Sequence, residues 1–248
     1  MDYGGIFKMA TNLKVVFFDI DDTLYSTTEF TRLARMNAVR AMIDAGLKVD
    51  EFKAFEELNK VTKDFGANYE RHYDELIARL NVKLEVSKSV IIAAGVIAYH
   101  DSKVKELKPF PDVEWALSVL SKNKKLKLGI LSDGITLKQI EKVIRLGLLK
   151  YFNKKAMFFT EELGICKPDS LLFSRVCELL EVTPQGAMYV GDHPTHDIDP
   201  AKEAGLITIF YQRGGKYAFE EGQTKPDATI RDMMQLVSLL KEEYKITL

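Results

Sequence analysis

The sequence predicts an α/β protein: a Rossmann-like core with a parallel sheet and helices on both faces, plus an inserted four-helix domain. Three observations carry that prediction. Five short apolar runs have the composition of buried strands. From Leu126 onward they alternate with helix-length segments, the rhythm of a parallel sheet covered on both faces. Between the first run and the second lie more than 100 residues with helical periodicity and no convincing strand pattern.

Taken in order, residues 1–13 contain Asp2 and two glycines but no hydrophobic core of a secretory signal, and are expected to be a flexible extension. The first strand is Lys14–Phe18. Ser26 and Glu29 then have capping-box spacing, with Phe30, Leu33, Ala34, Ala38 and Ala41 following on one helix face. Glu51 to Phe65, Tyr69 to Leu80 and Val86 to Tyr99 read as three further helices. Lys108-Pro109-Phe110-Pro111 stiffens the return to the sheet. The expected division is therefore a core of 14–24 and 109–248 with a helical insertion of 25–108.

The remaining strands are Leu126–Leu131, Ala156–Phe159, Ala187–Val190 and Leu206–Phe210. Leu137, Ile140 and Val143 or Ile144 form an apolar stripe closed by Gly147 as a helix stop. Leu171, Leu172, Val176 and Leu179 repeat the pattern, as do Met233, Leu236, Val237 and Leu240. Asp199-Pro200 suits a helix start, with the acid as N-cap and proline following.

Composition narrows the partners. Of 248 residues, 46% are hydrophobic and 29% charged, which fits a globular chain and not a disordered one. Thirty-five Lys and Arg against 36 Asp and Glu leave a net charge of −1, so nothing in the overall balance attracts nucleic acid or an anionic membrane. Lys122 to Lys127, with four lysines, reads as a solvated helix end. Two cysteines, Cys166 and Cys177, make no disulfide scaffold and suggest a reducing compartment, hence the cytoplasm. No apolar stretch approaches the roughly 20 residues that span a bilayer.

The chemistry concentrates at strand ends, where open α/β sheets bind ligands. Asp19-Ile20-Asp21-Asp22-Thr23 directly follows Val15-Val16-Phe17-Phe18. Carboxylates at i and i+2 on extended backbone point the same way, and a divalent cation such as Mg²⁺ relieves their repulsion. In isolation the pair reads equally well as a solvated acidic turn. The second strand ends in Ser132-Asp133-Gly134, a hydroxyl and free amides that would cradle a phosphate, though the same triplet is a common turn. Lys167-Pro168 follows the third strand. Gly191, Asp192 and Asp197 follow the fourth, a second set of metal-ligand candidates.

Together these segments, DIDDTL, ILSDG, GICKPDSLLF and YVGDHPTHDIDPAKEAGL, resemble the four motifs of the haloacid dehalogenase-like hydrolase superfamily, and the helical insertion looks like its type 1 cap. The segment AGVIAYHDSK and the general layout are similar to the branch of archaeal glyceraldehyde 3-phosphate phosphatases, and more distantly to N-acylneuraminate-9-phosphatases. The resemblance implies that Asp19 is the nucleophile and Asp21 the general acid/base. It implies that Asp19, the main-chain carbonyl of Asp21 and Asp192 hold Mg²⁺, with Asp197 supporting that shell. Ser132, the amides of Asp133 and Gly134, and Lys167 would surround the phosphoryl oxygens. Lys167 and Mg²⁺ would offset the repulsion between an anionic nucleophile and an anionic ester.

Other features are read more plainly. His193 and His196 depart from the family pattern and are expected beside the site and not on the metal. Cys166 reads as a buried small side chain and not a nucleophile. Arg213-Gly214-Gly215-Lys216 lacks the full pattern of a P-loop and reads as a mobile loop. Tyr69, His72 and Tyr73 read as packing residues of the insertion. The function expected is a Mg²⁺-dependent phosphatase acting on a small phosphomonoester through an aspartyl phosphate. A phosphomutase of the same superfamily and a non-catalytic phosphate-binding regulator are the alternatives.

Overall fold

A computed structural model of the chain describes residues 13–247. The expected N-terminal extension lies outside the described residues except for Leu13, which is buried. The chain divides into two compact units, residues 13–27 with 108–247 and residues 28–107, passing from one to the other at 27/28 and 107/108.

The first unit is built on six parallel strands: β1 (Val15–Phe18), β2 (Lys127–Ser132), β3 (Met157–Phe159), β4 (Ala187–Gly191), β5 (Ile207–Tyr211) and β6 (Ala228–Ile230). Their order is β3-β2-β1-β4-β5-β6. Every pairing is parallel, with Phe18 in register with Ile130 on one side and Val190 on the other. All four residues of β1 are buried, because a central strand covered on both faces needs an unbroken apolar run in place of alternation. The strand missing from the sequence expectation is β6, three residues at the sheet edge and only partly buried, too short for a periodic signal.

The second unit holds α1 (Thr27–Asp44, whose first residue belongs to the sheet unit), α2 (Glu51–Phe65), α3 (His72–Leu80) and α4 (Lys88–Lys105). Asp50 caps α2, its carboxylate accepting the Lys53 amide at 2.9 Å. Val39, Met42, Leu58, Leu76, Ile77 and Ile91 are among the residues that form this unit's core. In α1 the buried face is Ala34, Met36, Ala38, Val39 and Met42, so Phe30, Leu33 and Ala41 lie at its margin. Tyr69 precedes α3; its ring stacks on Phe65 at 4.6 Å and meets His72 edge-on at 5.5 Å, while Tyr73 packs against the core.

Around the sheet run α5 (Pro111–Leu120), α6 (Thr136–Arg145), α7 (Thr160–Leu163), α8 (Ser170–Leu179), α9 (Asp199–Glu203) and α10 (Met233–Glu242). The burial of α10 follows the expected Met233, Leu236, Val237 and Leu240. In α8 the inward residues are Leu172, Phe173, Val176 and Cys177, and Leu171 and Leu179 face solvent. The stripe expected on α6 holds at Val143, which is buried, and in part at Ile140, but Leu137 and Ile144 are exposed and the polar Thr136 and Gln139 are buried in their stead. Asp199 is not an N-cap either. A π-helical turn, Pro194–Ile198, leads into α9, and the Asp199 carboxylate instead accepts the amides of Gln223 and Thr224 at 2.8 Å each. No helix among the described residues is long and apolar enough to cross a membrane.

Candidate active site

In a sheet of this order the chain leaves β1 toward β2 on one side and later returns to place β4 on the other, so a crevice opens at the carboxyl end of β1. Asp19 stands there, its amide still donating to the Val190 carbonyl at 3.0 Å as an extension of the β1–β4 ladder. Asp192 follows β4, and Asp197 lies in the π-helical turn after it. All three acids are buried, and one oxygen from each lies within 4.8 Å of the others.

Gly191 makes this convergence possible. A Cβ at that position would collide with the Asp197 carboxylate, whose Cγ would lie 2.7 Å from it. The Asp197 carboxylate also accepts the His193 amide at 3.1 Å, which fastens the turn to its own side chain.

Lys167 enters from the segment between α7 and α8. Its ammonium donates to Asp19 Oδ1 at 2.8 Å, Asp197 Oδ1 at 2.7 Å and the Tyr189 hydroxyl at 2.6 Å, with the side chain only 4% exposed. Burial alone would lower its pKa, but Asp19 and Asp197 outweigh that and hold it well above the ordinary lysine value. One ammonium among three carboxylates leaves the cluster short of positive charge. Burial, reinforced by Asp197 and Asp19, pushes Asp192 up to about 9. Burial likewise raises Asp19, with Asp197 and Asp21 adding to it against Lys167. A buried all-oxygen donor set that repels itself fits a hard divalent cation such as Mg²⁺.

Asp21 departs from the expectation that its carboxylate and that of Asp19 converge on one cation. The backbone does not stay extended beyond it, Asp22 adopting φ 51°, and the Asp21 carboxylate is held by its own set of donors. It accepts from Tyr25 Oη and Thr27 Oγ1 at 2.6 Å each, from Gln139 Nε2 at 3.3 Å, and from Lys142 Nζ at 2.7 Å on both oxygens. Burial would raise its pKa, but Lys142 and the hydroxyl donors lower it below the usual carboxylate value. Asp21 is thus outside the group of converging carboxylates, which is Asp19, Asp192 and Asp197.

The phosphate cradle expected after β2 is also modified. Ser132 is buried at the end of β2, and Asp133 Oδ1 accepts the Lys167 amide at 3.3 Å. The Gly134 amide, however, donates to Thr160 Oγ1 at 3.1 Å, and the Thr136 amide donates to Glu161 at 2.9 Å. Amides at a helix start need acceptors, and α7 supplies two of them in this arrangement. Gly134 has φ 118°, and a Cβ there would sit 3.0 Å from Gln139 Nε2.

Sequence reasoning missed Tyr189, Tyr25, Thr27, Gln139 and Lys142. A tyrosine in the middle of a fully buried strand was the available signal for the first, since its hydroxyl needs partners. It accepts from Lys167 and lies 3.0 Å from the Leu131 carbonyl, and its ring is edge-on to Phe173. His193 precedes the turn and His196 lies within it, with ring centroids 4.2 Å apart, and Tyr217 stacks on His193 at 3.7 Å. Cys166 is exposed, contrary to the expectation of burial, because Lys167 takes the inward position next to it. Arg213 is tied to Asp112 and to Tyr211 Oη, and its guanidinium lies 4.4 Å over the Phe110 ring.

The chain is similar to known proteins along most of its length. A family model described as haloacid dehalogenase-like hydrolase matches residues 13–205. A glyceraldehyde 3-phosphate phosphatase from Methanocaldococcus jannaschii is 41% identical over 233 residues, 94% of this chain and 99% of that protein. One of the same name from Methanopyrus kandleri is 40% identical, with 94% and 99% covered. Among solved structures, a β-phosphoglucomutase described as putative, from Thermotoga maritima, shares the fold with a TM-score of 0.67 at 21% identity, covering 93% of this chain and 99% of that one.

Proposed function

This chain belongs to the haloacid dehalogenase-like hydrolases and is a phosphatase, and we propose that it uses Mg²⁺ to hydrolyse glyceraldehyde 3-phosphate or a closely related small phosphomonoester. The observation that carries the reading is the buried meeting of Asp19, Asp192 and Asp197 with the Lys167 ammonium at the carboxyl end of β1. The substrate is taken from the two relatives about 40% identical along nearly the whole chain.

Asp19, Asp192 and the main-chain carbonyl of Asp21 would hold Mg²⁺, with Asp197 supporting them. The ion, when bound, supplies the positive charge that lets an anionic phosphate lie against an anionic carboxylate. Every bond change falls to the chain, the ester and water. An Asp19 carboxylate oxygen attacks phosphorus, the ester P–O bond breaks, and the leaving alkoxide takes a proton from Asp21, which must enter this step in its protonated form, the form that the hydrolytic water restores in the next. Water then attacks the aspartyl phosphate, giving its proton to Asp21. The bond from phosphorus to Asp19 breaks, releasing inorganic phosphate and restoring the carboxylate. Lys167 and Ser132, with the Asp133 amide, bind the phosphoryl oxygens. A cytoplasmic setting follows from the substrate class, since small phosphorylated metabolites are charged and do not cross membranes unaided.

The test is phosphate release from glyceraldehyde 3-phosphate, phosphoglycolate, sugar phosphates, nucleotides and an aryl phosphate, with and without Mg²⁺, beside Asp19→Asn. Metal-dependent release that is lost in the variant is the expected result. Release that persists in a folded Asp19→Asn protein removes the nucleophile assignment.

A further inference from the structure

The inward face of α6 sets polar side chains beside Val143, where an apolar stripe alone is expected. Gln139 and Lys142, at i and i+3, share that face and both donate to Asp21, about 120 residues earlier in the chain. Lys142 Nζ reaches both carboxylate oxygens at 2.7 Å, Gln139 Nε2 reaches Oδ2 at 3.3 Å, and Tyr25 and Thr27 hold Oδ1. Gln139 also donates to the Asp133 carbonyl, which joins this group to the turn after β2. Its own Oε1 is buried with no hydrogen-bond partner, a cost that packing alone does not justify at a position where leucine would serve.

We propose that Lys142 and Gln139 are positioning residues that clamp the Asp21 carboxylate where it receives the proton of the hydrolytic water. The proposal rests on the reading of Asp21 as the acid/base. With five contacts from four side chains, the carboxylate has a single defined place, and the two from α6 come from outside its own loop. In the step served, the water oxygen bonds to phosphorus, its proton passes to Asp21, and the bond from phosphorus to Asp19 breaks. Without the clamp the carboxylate wanders from that place, and hydrolysis of the aspartyl phosphate slows. Its formation from an aryl ester, whose leaving group needs no proton, continues.

The full chain is assayed with Mg²⁺ and an aryl phosphate. Steady-state phosphate release is measured together with the phosphorylated fraction of acid-quenched protein by mass. For Lys142→Met the expected result is a release rate lower by about tenfold or more with a raised phosphorylated fraction. Lys142→Arg recovers part of the rate, and Gln139→Leu moves both readouts in the same direction by less. Should Lys142→Met fail to fold, Gln139→Leu and Lys142→Arg carry the same comparison. A release rate that is unchanged, or one that falls without any gain of phosphorylated protein, overturns the clamp. Failure of the underlying reading is distinguishable, because Asp21→Asn would then also trap no phosphorylated protein.

Discussion

The two units of this chain use charge in opposite ways. In the sheet unit, Asp19, Asp192 and Asp197 are buried around the ammonium of Lys167. In the helical unit the buried polar residue among those described is Ser102, and its ion pairs, such as Arg40 with Glu51 and Lys48 with Glu85, stay largely in water. The helical unit is held by an apolar core and decorated with charges that water screens. The sheet unit accepts the cost of desolvating charges most fully at the end of β1, and surrounds that place with close-packed strands. Charge buried against its solvation preference marks where the chemistry is, and the same residue types in the other unit mark only a solvated surface.

The sharpest test of that contrast is Asp19→Asn, which is expected to lower turnover by about 10⁴-fold or more while the circular dichroism spectrum is retained. Lys167→Met comes next. Removing one partner of a buried pair is expected to cost about 3–5 kcal/mol in denaturant unfolding, alongside a loss of about 10²–10³ in kcat. In the helical unit the comparable damage comes from an apolar change. Leu58→Ala is expected to destabilise by about 2–5 kcal/mol, read by thermal unfolding, with the rate per folded molecule near wild type.

The pH dependence separates the units again. Asp192 is raised from 3.8 to about 9, so its protonated form favours the fold; that gain is complete below 3.8 and is lost as pH rises through about 9. Metal-free protein is therefore expected to lose thermal stability as pH climbs across this window. Added Mg²⁺ should restore several degrees, most at the alkaline end where the carboxylates are free to bind it. A Tm that is flat with pH and indifferent to Mg²⁺ would break the comparison. The smallest effect expected is Lys48→Ala, which breaks an exposed pair and should move Tm by less than about 2 °C.

Much of this was legible in the residues. The strands from β1 to β5 stand out as apolar runs because a sheet covered on both faces leaves no room for alternation. The acids that follow β1 and β4 stand out because they interrupt such runs at the ends where ligands bind. Helix faces were less legible. On α10, which only packs, periodicity named the buried residues; on α6 it named Val143 but missed the rest, because Gln139 and Lys142 turn toward Asp21 and Leu137 is left in water.

The sequence by itself determined which residue types lie near one another along the chain, and hence the strands, the breaks between them and the motif acids. Only the tertiary structure decided which partners those residues meet. The place of Lys167 between Asp19 and Asp197, the turn of Asp21 toward α6, and the use of Thr160 and Glu161 to occupy the amides before and at the start of α6 all join segments far apart in sequence. Periodicity reports on burial, which is a property of each residue's own neighbourhood. A hydrogen bond or ion pair across 100 residues depends on where the packed strands and helices carry both ends.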